Sequence, residues 1–301
     1  MFFSKKIKVA VHDGSFHPDD VFAVAILHLY LKKPLKIFRT RDKNIFDEMD
    51  YVLDVGREYN PKEGKFDHHQ EGWSEKRENG IPYAASGLVW KEFGEKICGS
   101  KEVADKIEEK IIEPIDAEDN GVDIYEPKII GVSPYCAFDL IDSMNPTYKE
   151  KNLDVDKIFN TAVTIAENII VREIRKANDY VESFLKMKEI YNKTEDKRII
   201  ILDDQYPAQN FFTEYSEPLL VIKPIFDKKG LWYISVVKVK GEKFKSRIDL
   251  PESWAGKDGE ELQKITGVSD AIFCHNKRFM ASAGSKEGAI ELAQKAIASY
   301  N

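Results

Sequence analysis

The stretch Val9-Ala-Val-His-Asp-Gly-Ser-Phe-His-Pro-Asp-Asp-Val-Phe-Ala-Val-Ala-Ile-Leu27 decides the fold. An apolar run from Ile7 to Val11 ends in a polar loop carrying His12, His17, Asp19 and Asp20. Apolar residues then return at helical spacing, Val21, Ala25 and Leu29 on one line with Val24, Ile26 and Leu27 beside it. The pattern predicts strand, loop, helix, with two imidazoles and two carboxylates at the carboxyl end of the strand. Ligands bind at that end in open α/β sheets. His12, His17 and Asp19 form a nitrogen and oxygen donor set that suits Mn2+, Zn2+ or Fe2+ better than Ca2+. Capping of the helix by Asp19 or Asp20 after Pro18 explains the same residues without a metal. The rest of the chain has to decide.

The 301 residues suggest two domains or one large one. No run of about eighteen apolar residues is present, so no membrane span is expected, and Met1–Lys6 is too short for a signal peptide. Cys98, Cys136 and Cys274 are widely separated and odd in number. They read as small buried hydrophobes in a reducing compartment, which makes the cytoplasm the expected location. The net charge of −7 is uneven: residues 195–301 hold 16 basic against 16 acidic side chains, so the excess negative charge lies before them. Such a balance fits a cation site and argues against a broad non-specific nucleic-acid surface on the first part. Five of the six histidines also precede residue 70.

Leu35–Thr40 and Tyr51–Val55 read as further strands, the second closing on Gly56. Strands alternating with helices indicate a doubly wound parallel sheet. Asp54 ends an apolar strand, where a carboxylate is costly unless it ligates or pairs; the alternative is an Asp that opens the Gly56 turn. Lys65-Phe-Asp-His-His-Gln70 sets three ligand-type side chains in a row. Neighbours on a strand face opposite ways, so at most one of His68 and His69 is expected at a metal, the other facing substrate. Ala84–Gly94 reads as a helix opened by small residues, whose N–H groups suit a phosphate. Glu102–Ile112 reads as one more amphipathic helix. It leads to Asp116-Ala-Glu-Asp-Asn-Gly121, where Asp116 and Asp119 are spaced to share a face and Gly121 could equally mark an ordinary helix end.

Residues 122–153 read as irregular. Residues 154–192 form a helical pattern without Pro or Gly, either one connector or a pair of helices broken near Asn178. Its apolar stripe from Ile158 to Met187 is core or the seam of a homodimer. Strands follow at Arg198–Asp203, Leu219–Phe226, Trp232–Val239, Ala271–His275 and Arg278–Ala281, with Asp227–Gly230 as a hairpin turn and Lys286–Tyr300 as a closing helix. The expected architecture is α/β: a catalytic domain over 1–153, a helical connector over 154–194 and a smaller α+β substrate-binding domain over 195–301.

Jointly, His12, His17, Asp19, Asp54, Asp67-His68-His69 and Asp116/Asp119 place ligand-type side chains after successive strands. His12-Asp-Gly-Ser-Phe-His-Pro-Asp-Asp20, Arg39-Thr-Arg-Asp42, Val52-Leu-Asp-Val-Gly56, Phe66-Asp-His-His-Gln70, Ser86-Gly-Leu88 and Asp116-Ala-Glu-Asp-Asn-Gly121 occur in that order. They resemble the motif series of the Myg-type exonuclease family, a branch of the DHH phosphoesterase superfamily. Ser246-Arg-Ile-Asp-Leu-Pro-Glu-Ser-Trp-Ala-Gly256 and Lys286-Glu-Gly-Ala289 extend the resemblance over nearly the whole chain.

The resemblance implies a phosphoesterase with two divalent ions, Mn2+ before Mg2+ or Zn2+. His12, His17 and Asp54 would hold one ion, and Asp19, Asp54, His68 and Asp119 the other. Asp116 is the alternative to Asp119. Asp54 would bridge, His69 would touch phosphate, and Asp54, His68 and His69 would form the catalytic group. Arg39 or Arg41 could clamp a non-bridging oxygen. Two departures stand out. The superfamily's His-x3-Asp-x-Asp becomes His12-x4-His17-x-Asp19. Its Gly-Gly-His segment is replaced by Phe279-Met-Ala-Ser-Ala-Gly284, which leaves Ser282 to receive a phosphate. The expected activity is 3′–5′ exonuclease action on RNA or short oligonucleotides. The alternatives are hydrolysis of a small nucleotide or phosphomonoester, and a non-catalytic metal- or nucleotide-binding module.

Overall fold

Five residues, Ile7–Val11, four of them apolar, form β1, and the first sheet is assembled on both sides of it. The computed structural model describes residues 6–226 and 230–300, the side chain of Gln209 apart. Most of Met1–Lys6, read as too short for a signal peptide, and most of the hairpin turn expected at Asp227–Gly230 therefore lie outside the described residues. The chain divides into two compact units, Met1–Asn178 and Asp179–Asn301.

In the first unit β1 is followed by α1 (Pro18–Leu31), β2 (Leu35–Arg39), a 3-10 turn (Lys43–Glu48), β3 (Tyr51–Leu53), β4 (Tyr59–Asn60) and β5 (Lys65–Phe66). The strand order is β2-β1-β3-β5-β4, parallel except for the short edge strand β4. Pro18 through Leu27 are all buried, so α1 is a core helix and not a surface one. On the sheet, Phe46 and Met49 pack with Ala10, Val52 and Val55. The chain leaves β1 toward β2 and then returns across it to β3. That reversal puts the loops after β1 and β3 side by side, at the switch point where open α/β sheets bind ligands.

α2 (Ala85–Cys98) and α3 (Lys101–Ile107) follow. The single helix expected over Glu102–Ile112 is instead α3, a π turn over Glu108–Ile112, and α4 (Glu113–Asp119). Pro114 has no N–H to give to a preceding turn, and the ladder widens just before it. α5 (Ala137–Asp142) is a short helix within the stretch expected to be irregular. α6 (Val155–Lys193) is one helix, not a pair broken near Asn178, whose side-chain Nδ2 donates back to Ile174 O (3.1 Å) one turn earlier.

The second unit carries β6 (Ile199–Ile201), α7 (Ala208–Phe212), β7 (Leu220–Pro224), β8 (Trp232–Val236), α8 (Gly259–Thr266), β9 (Ala271–Cys274), β10 (Met280–Ala283) and α9 (Lys286–Tyr300). Its order is β6-β7-β8-β10-β9, with β6 and β7 parallel and the other pairs antiparallel. Leu220, Ile222, Ile234 and Ala281 face one core with Leu292 and Ala296 of α9. Val221 and Val237, on the alternate positions, join Phe211 and Met187 in another. The chain as a whole is α/β followed by a smaller α+β sheet. Among the described residues no helix is long and apolar enough to cross a membrane.

Candidate metal centre

Three strands of the first sheet end beside one another, and each delivers a ligand-type side chain. His12 follows β1. Its Nδ1 donates to Asp13 O (2.9 Å), which leaves Nε2 free to face Asp20 Oδ2 and Asp54 Oδ2, both at 3.3 Å. Asp54 follows β3 with φ of 52°, an uncommon backbone for a non-glycine residue. His68 follows β5, with Nε2 3.5 Å from Asp54 Oδ1 and 3.2 Å from Asp119 Oδ2 on α4. His69 Nδ1 is 3.3 Å from Asp54 Oδ1 and 2.8 Å from Asp67 Oδ1.

Both histidines of the pair thus reach Asp54, His68 buried and His69 half exposed toward the basin. β5 ends at Phe66, so strand alternation no longer applies at residues 68 and 69. Two groups of donors can each hold an ion: Asp54, His68 and His69, and Asp19, His68 and Asp119. Within each group the ligand atoms lie inside 4.8 Å of one another. His17 stands apart from both groups. Its ring is 5.8 Å from that of His12 and stacks on Phe138 at 5.7 Å.

The α2 N-terminus supports this arrangement from behind. Ala84 caps α2 without a side-chain acceptor, and two buried carboxylates supply what it lacks. Asp19 accepts from Ala85 N (3.0 Å) and Ser86 N (2.6 Å); Asp116 accepts from Gly87 N (3.0 Å) and Ser86 Oγ (2.7 Å). Asp116 also pairs with the buried Arg77 at 2.8 Å, and Arg77 reaches on to Glu108. A methyl group on Gly87 would overlap the Asp116 carboxylate and crowd Arg77. Asp119 therefore faces His68, while Asp116, one turn earlier, faces the helix end.

The loop after β1 is also pinned. Asn145 accepts from Phe16 N (3.0 Å) and donates to Phe16 O (2.9 Å). Arg39 Nη2 donates to Gly14 O (2.5 Å), and its side chain, 6% exposed, packs its guanidinium against the rings of Phe16 (5.3 Å) and Phe159 (5.1 Å). Arg41 Nε pairs with Asp13 at 3.0 Å. Of the two arginines read as clamps, Arg39 is thus bound up in the loop, and Arg41 lines the basin. Ser282 lies in the second unit, buried on β10. Asp20, read from the sequence only as a cap, does cap α1 by accepting from His17 N (2.9 Å), and it also faces His12. Arg77, Asn145 and Arg57 escaped the sequence reading, because nothing local marks a side chain whose partner lies tens of residues away.

The electrostatics call for a cation. Burial pushes the Asp19 carboxyl well above its usual range, and Asp119 and Asp54 push it further. Burial raises Asp20 to about 7 against the pull of His12. Asp54 goes the other way: burial opposes ionisation, but His12, His68 and His69 hold it well below the usual carboxylate range. Burial works against charge on His68, yet Asp119 and Asp54 raise it to about 11, and Asp54 and Asp67 raise His69 to about 9. Asp54 Oδ1, His68 Nε2 and Asp20 Oδ2 are buried without a hydrogen-bond partner. Nitrogen and oxygen donors with orphaned atoms fit a borderline divalent ion. An open basin of about 860 Å3 lies over His12, His17, Asp54, His69 and Asp119, with Arg41, Lys43 and Arg57 along its lining.

Comparisons with known proteins agree over the length of the chain. It is 27% identical to the MYG1 exonuclease of Mus musculus over 97% of this chain and 85% of that protein. It is 29% identical to the MYG1 protein of Dictyostelium discoideum over 97% of this chain and 96% of that one. RecJ from Thermus thermophilus, solved with Mn2+, covers 97% of this chain and 52% of its own at 12% identity. Its TM-score of 0.29 is too low to bear on fold or site. The profile of MYG1_exonuc, described as uncharacterised protein family UPF0160, matches residues 8–297, and the chain belongs to that family.

Proposed function

We propose that this protein is a phosphodiesterase using two divalent metal ions, an exonuclease that shortens RNA or short oligonucleotides from the 3′ end. One observation carries the reading: two donor groups overlap at His68, one with Asp54 and His69 and the other with Asp19 and Asp119, at the switch point of a parallel sheet. Mn2+ suits this donor set best, and the exonuclease name carried by relatives supports the class of reaction. A pair of such ions lowers the pKa of a shared water and neutralises charge on the attacking and leaving oxygens. Asp54 faces His12 on one side and His68 and His69 on the other, so it would help to hold both ions. His69, held at Nδ1 by Asp67 and 56% exposed, keeps Nε2 for the substrate. Asp19 and Asp119 stay fixed by the α2 end and by α4.

The test is hydrolysis of a 5′-labelled RNA of about ten nucleotides with Mn2+, wild type beside Asp54→Asn. A ladder of 5′-labelled shortened products in the wild type, absent in the variant, is expected. Failure of a metal-loaded wild-type chain to cut any oligonucleotide would sink the proposal.

A further inference from the structure

The turn after β3 carries three positive φ angles in four residues: Asp54 at 52°, Gly56 at 101° and Arg57 at 60°. Gly56 takes this backbone freely. For arginine the left-handed region costs roughly 1 kcal/mol or more, and a glycine or asparagine would serve the turn as well. The side chain of Arg278, in the same conformation, has an evident structural use: its guanidinium binds Asp249 and Leu250 O. The Arg57 backbone N–H donates to Asp67 Oδ2, a bond any residue could make. Arg57 is exposed and lines the metal basin, and among the described residues its guanidinium has no ion pair. Arg39 and Arg41, by contrast, are tied to Gly14 and Asp13. Residues held in strained backbone conformations cluster at active sites and ligand clamps.

From this geometry we infer that Arg57 binds the phosphate of a nucleotide seated over the metal centre, a specificity contact made by a side chain that the turn itself does not need. The inference rests on the phosphodiesterase reading for its substrate, but only on the basin for its ligand, a phosphate monoester or diester. The same carboxylate that accepts the Arg57 N–H, Asp67, also holds His69. One side chain therefore fixes the two groups that would meet the phosphate from neighbouring loops. A planar guanidinium gives paired hydrogen bonds to phosphate, which lysine cannot copy.

The experiment uses the full chain loaded with Mn2+ and compares wild type, Arg57→Gly and Arg57→Lys. It measures thermal unfolding, calorimetric binding of adenosine 5′-monophosphate, and kcat and KM on the labelled RNA. Arg57→Gly should unfold no earlier than wild type, since relief of the left-handed arginine offsets the freedom glycine adds to the unfolded chain. It should bind the monophosphate about tenfold more weakly, with KM rising and kcat less affected. Arg57→Lys should recover part of the binding. Equal monophosphate affinity and KM in wild type and Arg57→Gly would overturn the inference while leaving the nuclease reading intact. Arg57-dependent monophosphate binding in a chain that cuts no RNA would support the inference and remove that reading. A wild type that binds neither ligand would overturn both.

Discussion

His69 Nδ1 and Asp67 Oδ1 lie 2.8 Å apart, and this contact decides which imidazole nitrogen faces the basin. Asp67 is fully buried and accepts from the main chain of Arg57 and His69 as well. Asp67→Asn keeps the shape and removes the charge. A loss of roughly 10- to 100-fold in metal affinity or turnover is expected, with an unchanged circular dichroism spectrum. Wild-type kinetics in this variant would mean that His69 needs no such orientation.

Metal binding should expel protons. His68 is raised to about 11 in the metal-free protein by Asp119 and Asp54, so it is charged near pH 7.5. A metal takes the neutral nitrogen. Affinity should therefore fall as the pH drops. Calorimetry in buffers of different ionisation enthalpy should show proton release on Mn2+ addition; identical heats in all buffers would contradict it.

Gathering Asp19, Asp20, Asp54 and Asp67 in one buried site is costly without a cation. An ion bound at a hundred times its dissociation constant stabilises the fold by about 2.7 kcal/mol. Mn2+ should raise the unfolding midpoint, and a chelator should lower it and abolish activity while the chain stays folded. Complete unfolding on chelation would mark a structural site instead.

Asn145→Ala tests the clasp on Phe16. It leaves a buried N–H and a carbonyl without their partners, at a cost of about 1–3 kcal/mol. Chemical denaturation should show that loss, together with weaker metal binding, because His12 and His17 flank the freed segment.

Phe159 fills the space between α6 and the β1 loop, edge-on to Phe16 at 5.6 Å and under the Arg39 guanidinium. Phe159→Ala should cost about 3–5 kcal/mol. A loss of stability below about 1 kcal/mol on chemical denaturation would show that the site collapses to fill the gap.

Much of the first unit can be read locally. Strand, loop and helix over Ile7–Leu31 follow from an apolar run, a polar break that opens on Pro18, and a longer apolar run that makes a helix buried all round. The convergence of His12, Asp54 and His68 follows from the parallel order of the strands, once three apolar runs each end in a ligand. Other features were hidden for a physical reason. The π turn before Pro114 comes from a missing N–H in an otherwise good helical pattern, and both faces of that segment still look amphipathic. Arg39 and Arg41 sit where a phosphate clamp would, yet their partners are a carbonyl and a carboxylate of another loop, 25 and 28 residues away. The choice between Asp116 and Asp119 depended on Ser86 and Arg77, and no spacing rule connects those residues.

The left-handed backbone of Asp54 has a practical consequence for how this site can be dissected. Asparagine is among the few residues that tolerate such a conformation, whereas alanine or a branched side chain resists it. Asp54→Asn therefore subtracts a charge and almost nothing else, while Asp54→Ala would bend the turn that also presents Arg57. A scan that relied on alanine would blame chemistry for what is geometry, and at this position the amide variant is the clean control.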